Sequence, residues 1–556
     1  MKLKKLKNLI SVAKGESAAD LVLKNGRIIN TFVGKVQEGN VALKDGRIAG
    51  VGDYDEANEV IDVQGEYICP GFINGHMHLE SSMLHPSCYA RAVIPRGVLG
   101  LVTDLHEIAN VCGMKGIKFI LGIAEQLPFN IFLMAPSCVP ATPFDTSGAR
   151  ITSNDIEKLM QSSNVRGLGE MMNFPGVIEG HDDVLKKILM AGGKVVDGHI
   201  PSLRGKELNA YLAAGIRSDH ESTTLESAEE KLEKGVMLMI REGSTEKNLE
   251  ALLPLVDNKT SYRCMLVTDD KECADLLHEG EIDSVARKAI QLGLDPVRAI
   301  QMVTLNPSRY FRLPDLGAIA PGYKANILTL SSLDQLKVNR VFYQGKLVAS
   351  GGKPTFQVPR ITAHKTKTVQ IKEFTEESLK LESKEQESRE NGFPVIEIVP
   401  EQIITKKRME TLAVEGGQVI ADPSRDILKL VVLERHHKTG NIGKGFVKGF
   451  GLERGALASS IAHDSHNLIS VGHNDEAIYN ALKKVEEMQG GLAVATKKEV
   501  LKALPLPIAG LLSNKPLREV VQDFEELNAT ASKLGDLPPA PFSILSFLAL
   551  PVLPEL

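Results

Sequence analysis

The run Pro70-Gly71-Phe72-Ile73-Asn74-Gly75-His76-Met77-His78-Leu79-Glu80-Ser81-Ser82-Met83 brings two imidazoles and a carboxylate together at alternate positions. Its apolar lead-in reads as a buried strand over 72–78, and because a strand sends alternate side chains to one face, His76, His78 and Glu80 project together. Neutral imidazole nitrogens are strong ligands for divalent zinc, manganese or iron, and a His-x-His pair on one face supplies two of them without bending the backbone. Two unrelated histidines at a strand end are the bland alternative. The rest of the chain weighs against it.

From about 69 to 320, short apolar runs alternate with helical stretches, the pattern of βα units around a parallel sheet. Candidate strands are 72–78, 98–103, 131–135, 167–170, 194–199, 216–220, 236–240 and 264–269, which suggests a closed (β/α)8, TIM-like barrel. In such barrels the active site sits at the carboxyl ends of the strands. Those ends carry His76, His78, Glu170, His199, His220 and Asp269, a ligand set for two divalent cations with a carboxylate able to bridge them. Two metals about 3.5 to 4 Å apart can hold a hydroxide and make it a nucleophile at neutral pH, which is hydrolytic chemistry. Asp269 and Asp270 are both candidates for the inward carboxylate, since adjacent strand residues face opposite ways.

On either side of this region the chain changes character. Residues 1–68 show short alternating segments broken by Asn25-Gly26 and Asp45-Gly46, which read as hairpin turns, and similar segments recur over 321–363. The two flanks are expected to build one small β-sandwich domain. Residues 364–390 are charged and polar and read as a linker or solvated helix, and 391–556 form a C-terminal α+β unit.

The 556 residues carry 65 basic and 70 acidic side chains, a net charge of -5, with no basic stripe interleaved with aromatics, so nucleic acid is not an expected partner. Six scattered cysteines without a Cys-x-x-Cys pair fit free thiols in a reducing cytoplasm. No stretch approaches the ~20 apolar residues of a membrane-spanning helix, and the N-terminal run lacks a signal-peptide core. The apolar stretch 542–553 is short and proline-rich, a packed tail more than an anchor. The oligomeric state is open, with a homo-oligomer compatible.

Beyond the first run, further segments make a specific ordered set: Asp104-Leu105-His106-Glu107, Gly169-Glu170-Met171-Met172-Asn173, Asp197-Gly198-His199, Ser218-Asp219-His220-Glu221, Val267-Thr268-Asp269-Asp270 and Ala462-His463-Asp464-Ser465-His466-Asn467. With these the chain resembles the amidohydrolase superfamily, and within it the adenine deaminase family, over most of its length. The resemblance implies that His76 and His78 bind one metal and His199 and His220 the other, with Glu170 bridging. Asp269 would ligate the first metal and shuttle protons. It also implies manganese or iron, with zinc compatible, and hydrolytic deamination of adenine to hypoxanthine and ammonia in purine salvage. Another amidohydrolase acting on a cyclic amide or a different aminopurine is the runner-up, and a metal-free binding relative is the reading from another class.

Glu170 stands where the hydantoinase and dihydroorotase branches use a carbamylated lysine. The pattern departs in detail at Leu105, where a proline is common, and at Met77. The zinc nucleobase deaminases are excluded: His78-Leu79-Glu80 matches their His-x-Glu, but the chain has no Pro-Cys-x-x-Cys.

Several residues could contact substrate. Glu80 shares the face of the two histidines. Arg241, at the end of the seventh strand, either meets substrate or forms a surface ion pair, and His106 and Glu107 either reach the pocket or cap a helix. His463, Asp464 and His466 are either an ordinary polar turn or groups that a lid-like C-terminal domain lays over the strand ends, closing the site against water.

Overall fold

The computed structural model describes residues 1–359, 367–382, 392–399 and 405–550. Eight parallel strands form the central unit: β1 Phe72–Asn74, β2 Val98–Thr103, β3 Asn130–Ala135, β4 Val165–Met171, β5 Val195–Gly198, β6 Ser218–Asp219, β7 Met237–Arg241 and β8 Cys264–Val267. They lie in two hydrogen-bonded sheets, one ordered β5-β4-β3-β2-β1 and one β6-β7-β8, with helices between successive strands. Ile73, Val102, Phe132, Val195, Met239 and Met265 pack together on the inside, and Phe311, Leu313 and Leu316 join the same cluster. The interior is therefore a filled core, and polar side chains are left to gather at the strand ends.

Two of the expected strands are shorter than the alternation implies. β1 stops at Asn74, so His76 and His78 lie just past it, and Leu79–Ser82 is a 3-10 turn that carries Glu80. The reason is visible in the backbone pairing. Asp269 N–H donates to the His76 carbonyl (3.0 Å), and His78 N–H donates to the Asp269 carbonyl (3.1 Å). This stitches the end of β1 to the residues that follow β8. The sixth strand is only Ser218–Asp219, with His220 beyond it.

The two flanks meet in one nine-stranded sheet where a sandwich was expected; Tyr67–Pro70 from the first flank pairs antiparallel with Ile327–Ser332 from the second. Asp45-Gly46 is a two-residue hairpin turn with both φ values positive (50° and 80°), as a primed turn requires. Asn25-Gly26 is not a hairpin. Strand Ala19–Asn30 runs straight through it with a register shift between Leu23 and Gly26, and its partner on one side changes there from Ala57–Asp62 to Tyr67–Pro70. A Cβ on Gly26 would lie 2.3 Å from Ile68 Cδ1, so glycine serves close packing here.

After the barrel-like unit, an eight-stranded, mostly antiparallel sheet over 393–505 carries helices Asp475–Glu487 and Leu517–Ala531. The expected linker is in part a packed segment: Val369, Ile371, Phe374 and Leu379 are buried in the core beside helix Asp475–Glu487. The rest of that expectation, 364–366 and 383–390, lies outside the described residues, as does the end of the 542–553 stretch. Its described part forms helix Pro541–Phe547, with Phe542 and Leu545 buried. No helix among the described residues is long and apolar enough to cross a membrane, and all six cysteines are free.

The β6 end is braced from below by a fully buried ion pair. Lys231 Nζ lies 2.8 Å from Asp219 Oδ2 and also donates to Ser222 Oγ (2.9 Å) and the Ile200 carbonyl (2.7 Å), while Asp219 Oδ1 accepts from Ile200 N–H (2.9 Å). Removing one partner of such a pair strands the other charge without water, at a cost of about 3–5 kcal/mol. Asp219→Ala is therefore expected to unfold at a clearly lower denaturant concentration, whereas Asp182→Ala, which breaks the exposed Lys186 pair, should shift stability by less than ~1 kcal/mol. Equal midpoints for the two variants would remove the bracing role from the buried pair.

Candidate active site

At the carboxyl ends of the strands, one carboxylate sits among imidazoles from separate elements. Glu170, on β4, has Oε2 3.1 Å from His199 Nδ1 and 3.2 Å from His220 Nε2, and Oε1 3.3 Å from His78 Nε2. On the far side, Asp269 Oδ1 lies 3.1 Å from His78 Nε2 and 3.4 Å from His76 Nε2. The His76 and His220 rings stack at 4.2 Å. All six residues are buried.

Local sequence makes this convergence possible. A Cβ on Gly198 would stand 2.3 Å from the Ser218 carbonyl oxygen, so glycine lets β5 and β6 close up and brings His199 Nδ1 within 3.4 Å of His220 Nε2. Asp269 adopts a left-handed backbone (φ 58°), as do Leu105 (φ 55°) and His466 (φ 53°), each at a cost on the order of 1–3 kcal/mol. A proline could not take the φ of Leu105.

Burial by itself would raise the pKa of Glu170, but hydrogen bonds from His199, His220 and His78 outweigh it together and hold the carboxyl well below its usual range. Asp269 behaves alike: burial is opposed by His76, His78, His220 and Arg241, and the acid stays ionised. Of the neighbouring pair, Asp269 is the one that meets the two imidazoles, while Asp270 accepts from Ser81 Oγ.

Arg241 is neither on the surface nor free to bind substrate through its whole guanidinium. It is buried, with Nη1 2.5 Å from Glu221 Oε1 and 2.7 Å from Asp269 Oδ2. One nitrogen thereby holds two carboxylates, Glu221 beside His220 and Asp269 beside His76. His106 and Glu107 open helix α1, His106–Cys112, yet both turn into the cluster. The capping falls to Glu80, whose Oε1 accepts from the Ile108 N–H at 3.0 Å. Its Oε2 is buried without a partner among the described residues, and burial first, then Glu107, pushes its pKa up to about 7.

The C-terminal unit reaches the same place. His463 Nδ1 lies 2.6 Å from Glu107 Oε1, His466 Nε2 bonds Glu107 Oε2, and Asp464 Oδ1 lies 3.8 Å from His106 Nε2. His463 stacks on Phe547 at 4.7 Å. The junction is extended by Ser465 Oγ donating to Asp145 Oδ1 (3.0 Å) and Asn467 Nδ2 donating to the Thr146 carbonyl (2.9 Å). Burial holds His466 neutral, its pKa lowered to about 4 despite Glu107, and raises Asp464 to about 7.

Two functional candidates escaped the sequence reading. Asp104 takes His106 Nδ1 at 3.0 Å and His78 Nδ1 at 3.3 Å, so it can orient both rings, and Glu221 lies 3.3 Å from His220 Nε2. Asp104 directly follows β2 and Glu221 directly follows His220, positions equivalent to those of the other site residues, which is the signal that marks them.

The donor set fits divalent cations. His76, His78 and Asp269 converge on one point, His199, His220 and Glu221 on another, and Glu170 lies between. His76 Nε2 is buried with no hydrogen-bond partner among the described residues, as a ligand nitrogen awaiting a cation would be. The set is all nitrogen and oxygen, without thiolate.

The chain matches the amidohydrolase family over residues 67–348 and the adenine deaminase C-terminal domain over 402–556. An adenine deaminase of Dehalococcoides mccartyi is 54% identical across 99% of this chain and 96% of that protein. Adenine deaminase 2 of Carboxydothermus hydrogenoformans is 47% identical across 100% and 96%, and the adenine deaminase of Halalkalibacterium halodurans 42% across 99% and 95%. Identity of this order over both matched regions, which between them hold every residue of the cluster, means that the chain belongs to the adenine deaminase family of the amidohydrolases.

Proposed function

We propose that this protein is a metal-dependent hydrolase that converts adenine and water to hypoxanthine and ammonia. The observation that carries the reading is the placement of one ionised carboxylate, Glu170, within 3.3 Å of three imidazoles from three strand ends, one of which, His78, also meets Asp269. The near full-length relatives named adenine deaminase supply the substrate.

In this reading the eight strands close into a (β/α)8 barrel over about 69–320. The Met77–Asp269 bridge, which joins the ends of the first and last strands, supports that closure. The flanks 1–68 and 321–363 form the small β domain, and the unit from about 391 acts as a lid. His76, His78 and Asp269 would hold one cation and His199 and His220 the other, with Glu170 shared between the two sets. Manganese is favoured, with iron and zinc compatible. When bound, the cations supply Lewis acidity and lower the pKa of water at the site.

Asp269 accepts the proton as the water oxygen adds to C6, and passes it to the exocyclic amine, which leaves as ammonia. Arg241 keeps Asp269 ionised and aimed, and Asp104 holds the His78 and His106 rings. Glu80, His106, Glu107, His463, Asp464 and His466 surround the purine, where two half-neutral acids, Glu80 and Asp464, can donate to ring nitrogens or accept from the amine. Free thiols at all six cysteines fit a cytoplasmic enzyme.

Glu170→Gln keeps the shape and removes the charge, so bound metal and turnover should both fall by more than about tenfold; near-normal metal content by elemental analysis would end the bridging assignment. His199→Asn should lose one of two metal equivalents. His466→Ala, in contrast, should retain two equivalents and lower adenine turnover by about 10- to 100-fold, since it removes a group that holds Glu107; a loss of metal in step with rate would place His466 in the metal site instead. Across a panel of purines and cyclic amides, ammonia release is expected from adenine and not from adenosine, because His463 and Asp464 close the space a ribose needs. Equal rates on the two would contradict the lid, and activity on a hydantoin with none on adenine would replace the reaction.

A further inference from the structure

On the outer side of helix α1, away from the active-site imidazoles, lies a cavity of about 290 Å³ at the junction of the barrel-like and C-terminal units, with the His436 ring on its lining. Its body is apolar, with Ile108 and Phe119 contributed by the one unit and Ile508 and Ala509 by the other. Among the described residues its lysines carry the only full charges: Lys115 and Lys367 stand exposed on the lining, neither has a carboxylate partner, and no acid lines the cavity.

One layer behind the wall sits a third cation, Arg435. It is 0% exposed, spends Nε and Nη2 on the carbonyls of His466 and Ala509, leaves Nη1 without a partner, and has no carboxylate beside it among the described residues. Its guanidinium and the Lys115 ammonium both act on the thiol of Cys112, a wall residue, which places their fields in the cavity. A buried guanidinium without a counter-charge is costly. An anion in the cavity offsets that charge.

We propose that this cavity is a second ligand site, distinct from the deaminase centre, that binds a small aromatic phosphate. Its ring packs against Ile108, Phe119 and Ile508, and its charge is met by Lys115 and Lys367 in the field of Arg435. The volume stands at the lower end of the ~300–1,000 Å³ range of small-molecule sites, which suits one ring and one charged group. Because Ile108 shares helix α1 with His106 and Glu107, an occupant would bear on the element that presents those two residues to the active site.

Titration calorimetry of the manganese-loaded full chain with phenyl phosphate tests this. One site per chain is expected, weakened about tenfold or more by Lys115→Glu together with Lys367→Glu, with inorganic phosphate and phenol each binding far more weakly. Neither lysine belongs to the imidazole cluster, so adenine turnover of the charge-reversed protein should persist and report that it is folded. Glu170→Gln, which alters the cluster and not the cavity, should bind phenyl phosphate as the parent does. Loss of binding in Glu170→Gln, affinity indifferent to the two lysines, inorganic phosphate binding as tightly as the ester, or no binding at millimolar concentration would each overturn the proposal.

Discussion

The constraint on which this structure depends is the ionised carboxylate of Glu170, taken out of water at the centre of the molecule. Burying such a group in a medium of low dielectric is prohibitive unless several partners stabilise the charge. Here three imidazoles within 3.3 Å provide that, and the same need recurs outward. Each imidazole brought in must be oriented, so Asp104 and Glu221 follow, and each further carboxylate must be countered, so Arg241 lies between Glu221 and Asp269. The cluster is a set of charges that stabilise one another, and no member can be removed without leaving another uncompensated.

Such a network is useful only if the backbone holds it still. Buried polar braces lie under each part of it: the Asp219–Lys231 pair below His220, and, below His76, Asn74 Nδ2 donating to Thr268 Oγ1 (2.6 Å), with Tyr89 OH donating to Glu281 Oε1 (3.0 Å) nearby. Asn74 is the last residue of β1 and Thr268 adjoins Asp269, so one side-chain bond ties together the two segments that carry His76, His78 and Asp269. The left-handed turns at Leu105 and Asp269 store strain at the same level, and the packed strand interior is what sustains it.

The sequence made the clustered histidines and acids legible because parallel βα units put their carboxyl ends on one side, so a histidine or acid just past an apolar run is placed by topology before any contact is known. That logic located His76, His78, Glu170, His199, His220 and Asp269, and it fails where the local chain geometry departs from the regular element. The His-x-His pair was read as strand, yet the ladder ends at Asn74 because Asp269 captures the backbone on both sides of Met77. Asn25-Gly26 carries a hairpin composition, but the demand of Ile68 for space made it a bulge. Asp104 and Glu221 stand at the same kind of position, just past β2 and just past His220, but as carboxylates beside a histidine they did not stand out from ordinary helix-capping acids. The segment 367–382 looked solvated by composition because four apolar residues, Val369, Ile371, Phe374 and Leu379, are diluted among charges, and only the facing helix shows that they share a core.

The role of the C-terminal unit follows from the same electrostatics. Glu107 projects from helix α1 into a buried site, and within the barrel-like unit its nearest imidazole is His106 at 3.3 Å, already engaged with Asp104. Both of its carboxylate oxygens are satisfied by the other unit, through His463 and His466. With Ala462 N–H donating to His466 Nδ1 (3.1 Å), the His466 proton is fixed on Nε2, facing Glu107. A neutral imidazole donating from one nitrogen and accepting at the other is a rigid link, and beside it Asp464 and Glu80 each keep a buried oxygen without a hydrogen-bond partner among the described residues. The C-terminal unit therefore does more than pack against the strand ends: it supplies both imidazoles that meet the two oxygens of Glu107, a carboxylate carried by the barrel-like unit.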